Sequence, residues 1–345
     1  MNLRIKAIGA IIIACAGLIA IAVYAMARPL SCAKLTVLYV ENPRFNPMRK
    51  DEISAITTTA TSQFKALLGR CVIFEATDTK PISDVFSLLT NAQWQAANKL
   101  VVTEPTAVDR YNLSRLMAEG LADEKTSLAE QIAYANRSGA FSVAANTSLA
   151  EFATALISYH AAELSKFRLQ NAADGRPIID SNPYNEYVHW SAIPHTKLNY
   201  DLYITNQPII SLERGDPSMH ASLRGGITNG LTTPCAKCSY GTAIILSVYP
   251  LYGNDSLLTS IRTEAPFSEI EKTLFSAQVL THELGHQLLH LGHPFALQDC
   301  VMNPVEGQNF RKRSLALSEG ACAKDRSATL ELGAIKFPGL TVPFK

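Results

Sequence analysis

The chain has 345 residues, 47% of them hydrophobic, with 31 basic side chains against 30 acidic ones. That length and apolar content can bury one large core or two smaller ones. A net charge of +1, with no basic patch interleaved with aromatics, argues against a nucleic-acid partner.

At the N-terminus, Arg4 and Lys6 precede an uncharged run from Ala7 to Ala27. The run has ~20 residues, enough to cross a bilayer. Ala25-Met26-Ala27 has the form of a signal-peptidase site. Residues 1–27 therefore read as a cleaved signal peptide or as an anchor held in the membrane through residues 7–27. Positive charge keeps that end cytoplasmic, so both readings export residues 28–345, to the cell envelope or periplasm or to the extracellular side. Six cysteines follow the run. An even number in an oxidising compartment predicts disulfides, with Cys32–Cys71, Cys235–Cys238 and Cys300–Cys322 as the expected pairs.

Lys34 to Val40 is rich in β-branched and aromatic residues and predicts a strand. Residues 49–68 predict a helix ending at Gly69, and Cys71 to Ala76 a second strand. Strand, helix, strand at this spacing predicts a βαβ unit with a parallel pair. Residues from about 81 to 175 carry helical periodicity and no strand signal, as a helical insertion would. Asp180 to Pro194 is aromatic and Pro-bearing and reads as an irregular loop, with His189, Trp190 and His195 packed at the surface or lining a cleft. Tyr200 to Thr205 and Gly241 to Val248 predict the third and fourth strands. The expected fold class is α+β, with an α/β-like upper subdomain and a C-terminal subdomain over about residues 294–345.

Ser268-Glu269-Ile270-Glu271 is a capping box, and no proline interrupts the chain from there to Leu289. On that helix lies His282-Glu283-Leu284-Gly285-His286. Residues four apart share a helix face, so His282 and His286 can offer two imidazoles to one metal ion. Glu283 is displaced by about 100° and can reach a water on the ion's open side. Metal ligands beside a carboxylate that accepts a proton are the parts of a zinc hydrolase.

A catalytic zinc takes a third protein ligand. On a continuing helix, His290 and His293 would lie roughly 12 and 16 Å from His282 along the axis, so the chain must leave the helix and fold back. Gly292 and Pro294 favour a turn that delivers His293. His290 and, in a different zincin arrangement, Glu306 are the other candidates.

These residues resemble the metzincin clan of zinc metallopeptidases, whose signature is His-Glu-x-x-His-x-x-Gly-x-x-His followed by a methionine-containing turn. Cys300-Val301-Met302-Asn303-Pro304 is similar to that turn, with Met302 as its methionine. The chain departs from the signature at two positions, carrying Leu289 where the family has glycine and Gly292 where it has the third histidine. One inserted residue restores the match at His293. The resemblance, closest to the archaemetzincin and reprolysin-like branches, implies a metzincin-like zincin fold: a twisted mixed sheet beside an active-site helix, here with the helical insertion added. It implies Zn2+ on His282, His286 and His293, and Met302 packed beneath the metal. It also implies an edge strand, assigned to Ala243 to Val248, that binds extended substrate by strand addition.

The expected function is a zinc-dependent endopeptidase acting on peptide or protein substrates, with Glu283 as general base. The alternative is an exported, non-catalytic binding protein with a degenerate site. A redox protein using Cys235 and Cys238 is a third reading, without the thioredoxin-like βαβ context such a motif needs.

Overall fold

The computed structural model describes residues 32–98, 107–124, 126–139, 141–168, 183–210, 217, 227–253, 258, 264–305 and 309–324. The chain divides into Met1–Ala33 and Lys34–Lys345. Of the first unit only Cys32 and Ala33 are described, so the signal peptide or anchor expected over residues 1–27 lies outside the described residues, as does Glu306. Among the described residues, no helix is long and apolar enough to cross a membrane.

Asp201 divides the first expected strand in two. Its Oδ2 accepts from the Thr36 N–H at 3.0 Å and the Thr36 hydroxyl at 2.9 Å. Around that tether the chain forms β1 (Ala33–Leu35) and β2 (Val37–Glu41), which belong to different sheets. Helix α1 (Lys50–Leu68) follows as expected, ending on Gly69 in the left-handed conformation. The expected second strand survives as β3 (Val72–Phe74), but it pairs with β1. The parallel partner of β2 is instead β4 (Asp78–Pro81), whose Asp-Thr-Lys-Pro sequence has no strand signal. β4 is an edge and largely exposed, so it needs no apolar alternation.

Two helices, α2 (Ile82–Phe86) and α3 (Asn91–Asn98), lead into the insertion helices α4 (Ala107–Asp123), α5 (Leu128–Asn136) and α6 (Leu149–Arg168). The stretch expected to be an irregular surface loop is short and helical, with α7 at Tyr187–Ala192. It is buried: Trp190 is 0% exposed and donates Nε1–H to the Tyr184 carbonyl at 2.8 Å. Its aromatics belong to a core, not to a cleft.

The main sheet is completed by β5 (Leu202–Thr205), β8 (Gly230–Pro234) and β9 (Thr242–Ser247), while β6 (Ile209–Ile210) and β7 (Ile227–Thr228) form a small antiparallel pair. The five-stranded order is β4-β2-β5-β9-β8. All neighbours are parallel except β8, which runs antiparallel to β9 with Thr232 opposite Ile244. The sheet is therefore mixed, and its antiparallel edge is β8. The substrate-binding edge expected at Ala243 to Val248 is an interior strand, because β8 covers it.

Alternate residues of the central strands feed two cores, as a period of two requires. Val37, Tyr39, Ile204, Ile244 and Leu246 pack with α1 and with the helix Glu269–Leu289, reached after a short helix α8 (Tyr249–Tyr252) and labelled α9. Leu38, Val40, Tyr203 and Ile245 face the other way, against α2, α7 and their aromatics. The insertion has its own core, drawn from α4, α5 and α6. Of two final helices, α10 (Phe310–Ala316) packs on α9 and α11 (Ala321–Lys324) packs on α1.

Cys235–Cys238 and Cys300–Cys322 are disulfides, as expected, and Cys32 and Cys71 are also disulfide-bonded. Every described cysteine is thus oxidised, which fits an exported protein.

The start of α9 carries a strong ion pair. Arg311 donates Nε–H and Nη2–H to Glu271, at 2.5 and 2.9 Å, and Glu271 also caps the helix from Ser268. The Arg311 guanidinium, then the Ser268 N–H, hold the Glu271 carboxyl down to about 2. A depressed carboxyl stabilises the fold above its ordinary pKa and ceases to do so as pH falls through the depressed value. Arg311→Ala should cost about 1 kcal/mol at pH 7, since the pair is partly exposed. The gap between variant and parent in urea unfolding should close between pH 4.5 and about 2.

Candidate metal centre

Helix α9 forms for local reasons. Ser268 Oγ accepts from the Glu271 N–H and the Glu271 carboxylate accepts from the Ser268 N–H, closing the capping box. From Phe275 to Gln287 every residue is buried, so the helix crosses the protein interior and brings His282, Glu283 and His286 with it.

The helix ends at His290, not at Gly292. His290 has φ 53° and ψ 36°, and among the described residues it alone of the non-glycines has positive φ. The Leu291 N–H bonds back to the Gly285 carbonyl at 3.2 Å. This left-handed residue reverses the chain, and His290 itself points outward and is exposed. It is the hinge rather than a ligand. Three residues later His293 has folded back onto the helix.

The three Nε2 atoms converge. His282 and His286 are 2.9 Å apart, His286 and His293 3.0 Å, and His282 and His293 3.2 Å. Nitrogens bound tetrahedrally to one zinc at about 2.0–2.1 Å stand ~3.3 Å apart, so the triangle is within a few tenths of the size required. The other ring nitrogens decide its chemistry. His282 Nδ1 lies 2.9 Å from the Val301 carbonyl and His286 Nδ1 2.6 Å from the Leu291 carbonyl. A carbonyl oxygen only accepts, so both Nδ1 atoms carry hydrogen. Burial, helped by His286, His293 and Arg313, holds His282 well below the ordinary histidine pKa, so it is neutral at pH 7. The Nε2 atoms of His282 and His286 face each other across 2.9 Å. A cation satisfies such a pair. The three histidines can hold a metal ion, with the Val301 and Leu291 carbonyls fixing two of the rings.

Glu283 lies one residue round the helix, held from the sheet. Its Oε2 accepts from the Thr232 hydroxyl at 2.6 Å. A Cβ added at Gly230 would come within 2.5 Å of Glu283 Oε1, so β8 can lie this close only with glycine there. An open cleft runs past these groups, bounded by Gly230, His282, Glu283, Pro304, Val305 and Arg313.

Met302 is fully buried, and its Sδ packs against Gly285 on the underside of α9. A Cβ at Gly285 would stand 2.2 Å from that sulfur. Gly285→Ala should therefore lose about 1–3 kcal/mol to overpacking, less about 1 kcal/mol regained in helix propensity. Equilibrium unfolding measures the net loss, and adding Met302→Ala to the same chain should shrink it.

Arg313, on α10, was not apparent from sequence. It is 9% exposed and donates to the Val301 carbonyl at 2.5 Å and the Asn303 carbonyl at 2.9 Å. It thus fixes the same Val301 oxygen that orients His282. Gly230 and Thr232 were also missed. Gly230 lies in a glycine-bearing stretch without strand signal, and Thr232 has no local signal at all. No protein family, no curated protein and no solved structure matches the chain.

Proposed function

We infer that the protein is an exported zinc-dependent endopeptidase. The observation that carries this reading is the convergence of the His282, His286 and His293 Nε2 atoms to within 2.9 to 3.2 Å of one another, with a carboxylate beside them in an open cleft. His282, His286 and His293 would hold a zinc ion, which would supply Lewis acidity and lower the pKa of a bound water toward neutral. Glu283 takes the proton from the attacking water and passes it to the leaving amine. The Thr232 hydroxyl holds one carboxylate oxygen, so the other is the proton acceptor. Among the described residues β8 is the antiparallel edge of the sheet, and an extended peptide can add there as a further strand. Since Gly230 and Thr232 of that strand touch Glu283, a peptide on β8 lies along the catalytic cleft.

The histidine and methionine positions resemble those of the metzincins, and the resemblance supports the same reading. Residues 7–27 supply a cleaved signal or a membrane anchor. The rival redox reading loses ground, because Cys235 and Cys238 are 1% and 9% exposed within their disulfide. Replacing Glu283 by Gln in the purified chain tests the proposal, with zinc content and hydrolysis of a denatured protein measured together. Zinc retained with hydrolysis lost is the expected result.

A further inference from the structure

His282 and His286 are carried by a buried helix, whereas His293 is carried by a loop. The turn bonds Phe295 N–H to His293 O at 3.1 Å and Leu297 N–H to Pro294 O at 2.9 Å shape that loop but do not anchor it. The anchor comes from the helical insertion. Phe295, two residues after His293, is fully buried within the core formed by α4, α5 and α6. Its ring lies 4.8 Å from that of Tyr134 on α5 and 5.5 Å from the His293 imidazole. Arg137, at the C-cap of α5, donates Nη2–H to the Phe295 carbonyl at 2.8 Å. Its guanidinium lies 5.5 Å over the Tyr134 ring. The Tyr134 hydroxyl reaches the Val305 carbonyl at 3.4 Å, on the chain that follows Met302. One turn of one helix therefore holds both the loop of the third ligand and the segment beneath the metal.

We propose that the helical insertion is a clamp on the His293 loop, and that Tyr134 and Arg137 set the affinity for the metal by fixing that loop before the ion arrives. The proposal rests on the reading of His282, His286 and His293 as a metal centre. Arg137 is a positioning residue, acting on the ligand through Phe295. A loop already ordered loses less conformational freedom when its histidine coordinates.

The test uses the full-length protein stripped of metal, as wild type, Arg137→Met and Arg137→Lys. Zn2+ affinity is measured by competition with a chelator, and Co2+ is added separately to record the absorption of a tetrahedral site. Arg137→Met, which keeps the apolar stem and loses the donors, should bind zinc about tenfold more weakly. It should also give a weaker or shifted Co2+ spectrum, with the melting temperature of the stripped protein little changed. Arg137→Lys should recover part of the affinity, since an ammonium can still donate to the Phe295 carbonyl. Phe295→Leu keeps the burial and removes the ring contacts; it should weaken zinc binding likewise, and it decides the matter if Arg137→Met does not fold. Wild-type affinity and spectrum in both variants would overturn the clamp. A wild-type protein that takes up no metal would instead overturn the metal centre itself, so the two failures are distinguishable.

Discussion

Glu283→Gln is expected to lower kcat/KM for a denatured protein substrate by about 10²- to 10⁴-fold, the range supplied by a positioned general base. The loss should fall on kcat. Gln has the shape of Glu and can still accept from the Thr232 hydroxyl, so the 2.6 Å contact survives and β8 keeps its place. The edge proposed to bind peptide is then intact, and KM should move little. The three imidazoles are untouched, and zinc content should stay at one per chain. What Gln cannot do is take a proton. Residual hydrolysis at the parental rate would mean that Glu283 is not the base. Loss of zinc together with activity would mean that its charge serves the metal instead.

His286→Ala should produce the largest change in stability. The variant removes one ligand and the Nδ1–H bond to Leu291, and leaves His282 and His293 as an incomplete pair. Ligand binding stabilises a fold by about 4 kcal/mol when the ligand stands a thousandfold above its Kd. For a chain of this size that is on the order of 5–10 °C in melting temperature. Zinc-loaded wild type should therefore lose that much on chelation and regain it when zinc is restored. His286→Ala should melt near the stripped wild type and respond to neither treatment. If wild type and variant melt alike whether or not the chelator is present, no ion is contributing to the fold at this site.

What could be read from the sequence was local. His282 and His286 are one helical turn apart, and the Ser268 capping box marks where that helix starts, so both were visible as spacing. The central strands showed themselves through β-branched residues because they are buried on both faces. Elements that depend on partners far along the chain were invisible. β4 has an edge strand's polar sequence, and β8 is short and bordered by glycine, so neither announced itself, and the edge role was assigned to the interior strand beside β8. The Thr232 contact with Glu283 spans 51 residues, and the Arg137 contact with Phe295 spans 158. No periodicity encodes either.

The position of His293 has a conformational explanation. In the metzincin signature a glycine stands three residues before the third histidine. Here His290 stands three residues before His293, and His290 is the residue that adopts the left-handed conformation. Helix α9 runs through Leu289, and the turn follows it. The sequence suggested Gly292 because glycine is the residue that most readily takes such angles. A histidine can adopt them at a cost the surrounding packing covers, and no local pattern indicates that it will.

The Cys300–Cys322 disulfide has a consequence for when the site can exist. Within the ring it closes lie Met302, which supports α9, and Arg313, which holds the Val301 carbonyl against His282. Residue 322 is synthesised about forty positions after His282, so the helix of ligands is made before the ring that steadies it. A disulfide forms in an oxidising compartment, so residues 300 to 322 must reach one before that ring can close. Order of synthesis and redox potential together make the floor of the site the last part to mature, so a nascent or retained chain carries the ligands without the frame that aligns them.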